Sequence, residues 1–201
     1  YEWIDGDATG KPGLTEIGAA VDFVKHLHKL SNHPEAISEF NLASEACLSL
    51  RELTQQLQTR VKRIGLEVDK YPELDKFLCE RLQPQLEHAI DAAKSDYMQA
   101  QISEAEDIPQ QHRILSPSDF GFHNAIRKSN GEIVFIDFEY FGWDDPVKLI
   151  ADFLIHPAMA LGGDQQICFW REANKVFIND PLFKTRFLSQ FPLYILRWCL
   201  I

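Results

Sequence analysis

Residues 114–146 read ILSPSDFGFHNAIRKSNGEIVFIDFEYFGWDDP, and the fold of this stretch decides how the rest of the chain is read. Two short apolar, β-rich runs, Ala125–Ile126 and Ile133–Phe138, flank the turn signal Ser129-Asn130-Gly131. That pattern predicts a β-hairpin. Asp119 and Asn124 stand just before the first run, and Asp137 lies inside the second. A hairpin of this length doubles the chain back, so the three polar groups can face one cleft. Two carboxylates and an amide that converge there suit Mg²⁺, which takes oxygen ligands, and can orient a hydroxyl.

The order Asp-x-x-x-x-Asn, hairpin, Ile-Asp-Phe resembles the aminoglycoside phosphotransferase and choline kinase family, which shares the protein-kinase-like fold. Ile136-Asp137-Phe138-Glu139-Tyr140 is especially like the choline/ethanolamine kinase version, and Asp145-Pro146 and Asp152 match the family's downstream Gly-Asp-Pro and Asp-Leu-Ala region loosely. The resemblance implies that Asp119 is catalytic, accepting or orienting the proton of an attacking hydroxyl. Asn124 and Asp137 would hold Mg²⁺ against the phosphates of ATP. Backbone at Glu2 and Trp3, in the hinge position, would meet adenine. Asp152 would brace the catalytic loop, and Ser118, Glu139, Tyr140 and Trp143 are candidate substrate or support residues. There is one departure: family members usually carry a histidine two residues before the catalytic Asp, and Pro117 stands there.

The expected fold class is therefore α+β, mainly α: the C-terminal lobe of a protein-kinase-like fold, a helical bundle with a catalytic β-hairpin. Residues 1–14 read as the hinge from a missing N-terminal lobe and 15–201 as the helical lobe. Within it, 31–113 form a substrate-side insert and 114–146 the catalytic loop, hairpin and metal loop. No Gly-rich phosphate loop, strand Lys or helix Glu precedes the hinge, so the chain as given is expected to be inactive by itself. The last helix stops on apolar residues, Leu200 and Ile201, as though the natural chain ran on.

Composition narrows the function classes. With 45% hydrophobic and 25% charged residues the chain is an ordinary globular protein. A net charge of −10 argues against nucleic acid, which needs a basic surface, and suits a cationic acceptor such as an amino sugar or amino alcohol. No apolar run reaches the length of a membrane span, and no secretory signal opens the chain. Cys47, Cys79, Cys168 and Cys199 are scattered without a CxxC pair, which reads as thiols in a reducing cytoplasm.

Apolar spacing predicts a helix from an N-cap at Thr15 to about Leu30, and one long helix from Glu35 to about Ile64 ended by Gly65. Another runs from Glu73 to about Ser103, with a kink or split at Pro84. Asp145-Pro146 caps a helix over Val147–His156, and Asp164 caps the next. Pro192 is expected to separate a helix over Leu182–Gln190 from a final piece, Leu193–Ile201. Tyr140, Phe141 and Trp143 form an aromatic cluster beside the catalytic loop that suits either a bound cation or the core.

The residues offer little for two other functions. Ser116 and Ser118 lie near His112 and His123, but without an elbow motif they make a poor nucleophilic pair. A phosphohydrolase using Asp119 and Asp137 lacks further metal ligands. The main alternative to an ATP- and Mg²⁺-dependent phosphotransferase acting on a small-molecule hydroxyl is a non-catalytic, pseudokinase-like binding module.

Overall fold

The computed structural model of the chain describes residues 3–201. It is an α+β, mainly helical architecture with two small β-sheets, neither closed into a barrel. In chain order the elements are β1 (Asp7–Ala8), α1 (Leu14–Ser31), α2 (Ala36–Glu39), α3 (Leu50–Gly65), α4 (Pro72–Phe77) and α5 (Gln83–Gln99). There follow β2 (Ile114–Ser116), β3 (Ala125–Arg127), β4 (Ile133–Phe135), β5 (Gly142–Asp144), α6 (Pro146–Ile155), α7 (Gly163–Val176) and α8 (Phe183–Trp198). Among the described residues no helix is long and apolar enough to cross a membrane.

The chain divides into two units. The first contains the residues up to Ala46 together with Pro109–Pro181, and the second contains Cys47–Ile108 with Leu182–Ile201. The segment between α1 and β2 is thus shared between units, where the sequence suggested a single insert over 31–113.

In the first unit β1, β3 and β4 form an antiparallel sheet, with Ala125 opposite Phe135 and Arg127 opposite both Ile133 and Asp7. The predicted hairpin is present, but its second strand ends at Phe135, so Asp137 lies beyond the ladder. A separate antiparallel pair joins β2 to β5, with Leu115 opposite Trp143. Gly142 makes this possible: a Cβ there would lie 2.5 Å from the backbone N of Ala43 and the carbonyl O of Asn41. The 41–43 segment therefore runs tight against β5, with Trp143 N–H donating to Asn41 O at 2.9 Å and Ala43 N–H to Trp143 O at 3.0 Å.

Helix α1 buries Ile17, Ala20, Val21, Val24 and Leu27 along one face and packs on α7. It is capped by Gly13, not Thr15: the Glu16 side chain reaches back to accept the Gly13 N–H at 2.7 Å. Glu16 also pairs with Arg127 of β3 at 3.0 Å, which ties the helix to the hairpin. Behind the hairpin runs an aromatic core. Phe120 stacks on Phe23 and Phe153, with ring centroids 5.2 and 4.8 Å apart, and Phe153 stacks on Phe169 at 3.9 Å.

The expected long helix over 35–64 is broken. Chain 40–49 leaves the helical path to bond to β5, and α3 starts afresh at Ser49, whose hydroxyl accepts the Glu52 N–H at 3.2 Å. Glu52 answers by accepting the Leu48 N–H at 2.7 Å, completing a capping box.

In the second unit α8 packs on α5 and α3. Pro84 acts as expected in breaking the pattern, but through a π-helical turn, Leu78–Leu82, that carries α4 into α5. Pro192 does not split α8, which runs unbroken through it. An interior proline costs about 3 kcal/mol. Here the burial of Phe187, Leu193 and Tyr194 offsets it, with Ser189 Oγ donating to Asp96 Oδ2 at 2.9 Å and the Gln190 amide to the Tyr97 hydroxyl.

Candidate active site

Strand β2 leads through buried Pro117 and then Ser118 to Asp119. Ser118 sits at φ +69°, a left-handed conformation unusual for serine. It is pinned there: its N–H donates to Ser116 Oγ at 3.1 Å and its hydroxyl to the Ser44 carbonyl at 2.9 Å. Ser118 therefore serves as an anchor of the loop, its hydroxyl already committed to backbone.

Asp119 is the hub. The Asn124 amide nitrogen donates to its carbonyl O at 3.0 Å and to its Oδ2 at 3.1 Å. The other carboxylate oxygen, Oδ1, lies 2.9 Å from His123 Nε2 and 3.4 Å from His156 Nε2. The hydrogen bond from His123, and then that from His156, holds the Asp119 carboxyl far below the usual range, against the opposing effect of partial burial. The group is thus a permanent anion and a weak base.

Asn124 closes a turn and hands the chain to β3, and the Ile136 N–H returns to its carbonyl at 2.9 Å. This bond brings Asp137, the next residue, beside Asn124. Asp137 is exposed and held at φ +66°. Two non-glycine residues in left-handed backbone, one before Asp119 and one at Asp137, are local strain of about 1–3 kcal/mol each that the surroundings must offset. Asp137 and Glu139 lie beyond β4, which ends at Phe135, so strand alternation does not set the direction of either side chain. Glu139 hydrogen-bonds Tyr140: that bond and its charge raise the Tyr140 phenol, and Asp137 and Asp119 add to the rise from further off. The four side chains share one electrostatic neighbourhood.

The oxygen donors suit a hard cation. With its side-chain nitrogen turned to Asp119, Asn124 presents its side-chain Oδ1 as an oxygen donor, and Asp137 offers an exposed carboxylate. Asp119, His123 and His156 also lie close enough together to suggest a transition-metal site, but their orientation opposes one. The two imidazoles are stacked within 10° of parallel, centroids 3.9 Å apart. A metal bonded to both Nε2 atoms at about 2.0–2.1 Å would have to lie far out of both ring planes. The Ala158 N–H, moreover, donates to His156 Nδ1 at 3.2 Å, which leaves the ring proton on Nε2, pointing at Asp119.

The remaining expected residues divide. Trp143 is core: 4% exposed, it packs with Leu115 and Ala36. Asp152 is buried on α6 and pairs with Lys148 at 3.4 Å. Lys148, itself 2% exposed, reaches Asp144 of β5 at 3.1 Å. Support of the catalytic loop thus runs from α6 through Lys148 to β5 and its partner β2. Trp3 is 87% exposed and lines an open hollow of about 500 Å³ with Ile4, Asp5 and the hairpin tip at Lys128–Asn130. Glu2 lies outside the described residues.

Sequence reasoning missed His123, His156 and Lys148. The adjacency of His123 to Asn124 was visible; that His156 and Lys148 face the same loop needed the path of α6.

No protein-family model matches this chain, and no curated protein does. The site therefore rests on its own geometry.

Proposed function

We propose that this chain carries the catalytic and metal-holding residues of an ATP- and Mg²⁺-dependent phosphotransferase acting on a small-molecule hydroxyl, in a lobe of protein-kinase-like fold. The observation that carries the reading is the convergence of Asp119, Asn124 and Asp137 at the base of one hairpin, with left-handed backbone at Ser118 and Asp137. Such strain concentrates where a function requires it.

Asp119 orients the acceptor hydroxyl. Phosphoryl transfer through a loose transition state needs little push from a base, which fits a carboxylate held this weakly basic. Asn124 and Asp137 would hold Mg²⁺, whose chemistry there is to neutralise charge on the phosphates. The hairpin separates this base from the hollow at Trp3 by the length of β3, roughly 10 Å at 3.3–3.4 Å per residue, an arrangement suited to a nucleotide lying along it. Exposed Glu139 and Tyr140 beside Asp119 suit a cationic acceptor, an amino sugar or amino alcohol. A cytoplasmic setting, where ATP is abundant, follows from this reading.

The second reading, a non-catalytic binding module, is favoured by Pro117, which fills the place of a bracing histidine with a buried ring. The test is transfer of labelled γ-phosphate from ATP to a panel of amino sugars and amino alcohols by the intact natural protein. Labelled product that disappears in Asp119→Asn supports the transferase. Magnesium-dependent nucleotide binding without transfer to any acceptor or to water supports the binding module.

A further inference from the structure

The clamp on Asp119 is built from residues that no part of the hairpin motif requires. His156 closes α6, its N–H donating to Asp152 O at 2.9 Å, so its position is set by a helix anchored at both ends. At the other end Asp145 caps α6 by accepting the Val147 N–H at 2.8 Å, and Lys148 is locked between Asp144 and Asp152. The turn beyond His156 is fastened to the catalytic loop as well: the Met159 N–H donates to His156 O at 3.1 Å, and Met159 Sδ accepts the Phe122 N–H at 3.2 Å. His123 is held from below by the absence of a side chain at Gly121, where a Cβ would lie 2.6 Å from the His123 Cε1 atom.

Both imidazole side chains are mostly covered, 18% and 12% exposed, whereas the Asp119 side chain is 45% exposed. The two rings therefore grip Oδ1 from the covered side, and Oδ2, which accepts the Asn124 amide, is the oxygen that neither imidazole engages. The Ala158 N–H on His156 Nδ1 sets the tautomer, so that Nε2 is the donor.

We infer that His156, stacked on His123, is the positioning residue that aims Asp119 at the acceptor hydroxyl, doing from the end of α6 what an upstream histidine would do at the position Pro117 fills. This rests on the reading of Asp119 as the group that meets the hydroxyl. His156 is not a catalytic residue in this account; it acts through Asp119. The imidazoles on Oδ1 and the Asn124 amide on Oδ2 together turn a freely rotating carboxylate into one with a single orientation toward the acceptor.

Two measurements on the intact natural protein decide it. The first is a long-range proton–nitrogen correlation spectrum of the histidine rings. It should show His156 as the Nε2–H tautomer, and its ring proton should shift in Asp119→Asn. An Nδ1–H tautomer, or a proton indifferent to Asp119, overturns the inference without any assay of turnover. The second is phosphate release from MgATP, with water as the acceptor, in wild type, His156→Ala and His156→Gln. Misaiming a reacting group by about 1 Å costs on the order of 100-fold, so kcat should fall by up to that factor in His156→Ala while KM for MgATP holds. His156→Gln, whose amide can donate to the same oxygen, should recover much of the loss. Unchanged kcat in His156→Ala, or glutamine no better than alanine, refutes the clamp alone. Absence of transfer by the wild type both to water and to every acceptor of the amino sugar and amino alcohol panel removes the phosphotransferase reading, and the positioning role with it.

Discussion

Replacing Lys148 by methionine tests how the catalytic loop is held. Lys148 is 2% exposed, and its ammonium lies 3.1 Å from the Asp144 carboxylate and 3.4 Å from that of Asp152, which are 0% and 6% exposed. Methionine fills nearly the same volume, so little packing is lost. What changes is charge: two carboxylates stay buried about one lysine head apart with the cation between them gone. Breaking a buried pair by removing one partner costs about 3–5 kcal/mol, mostly because the remaining charge is uncompensated. Urea unfolding at neutral pH, followed by the fluorescence of buried Trp143 beside Asp144, should therefore show a loss of that size. Converting both acids to their amides in the same protein, Asp144→Asn and Asp152→Asn, removes the two charges that faced the ammonium and keeps Asp144 Oδ1 as acceptor for the Asp145 N–H. It should return about half of the loss or more. A cost below about 1 kcal/mol for Lys148→Met, the value of an exposed pair, would show that water reaches the triad, and the proposed support of the loop would fall.

Glu16→Ala removes both the Gly13 cap bond and the Arg127 pair, and should cost about 1 kcal/mol. The hydrogen bonds from its own N–H and that of Gly13 hold the Glu16 carboxyl below its ordinary value of 4.5. Its contribution is therefore complete above that pH, and the gap between wild type and variant should close as pH falls through the lowered value; a gap that widens on acidification contradicts this. Gly121→Ala places a Cβ 2.6–2.7 Å from the His123 ring and the Met159 sulfur, groups that can swing away. Turnover should drop while the melting temperature moves little, and unchanged turnover would detach His123 from the site. Gly142→Ala drives a Cβ into the backbone of Asn41 and Ala43, which cannot yield, and should cost about 1–3 kcal/mol by overpacking. Thermal melting would expose an error if the variant matched wild type.

The hairpin was legible because it is local: a turn signal between two apolar runs needs no knowledge of distant chain. Asp145 and its following proline were legible for the same reason, and the α6 cap stands where the two residues put it. The break at 40–49 was not, because its cause lies a hundred residues on, where Leu42 bridges to Trp143 and Phe40 packs edge-on against Phe141. Even so, Ser49-Leu50-Arg51-Glu52 carried a capping-box signature that marked the restart of α3. Pro192 misled in the opposite sense, since local backbone preference favours a break and tertiary burial of the α8 face overrides it. At the site, Asp119, Asn124 and Asp137 follow from spacing along one segment. The histidine clamp does not, because His156 arrives from the far end of a helix whose path only packing determines.

The most direct measurement is thermal unfolding of the intact natural protein with and without ATP and Mg²⁺, beside Asp137→Asn. A ligand at 100 times its dissociation constant stabilises by about 2.7 kcal/mol. The account predicts a magnesium-dependent rise in the wild type that the variant loses. An equal rise in both proteins would take Asp137 out of the metal site, and no rise in either would contradict the nucleotide site itself.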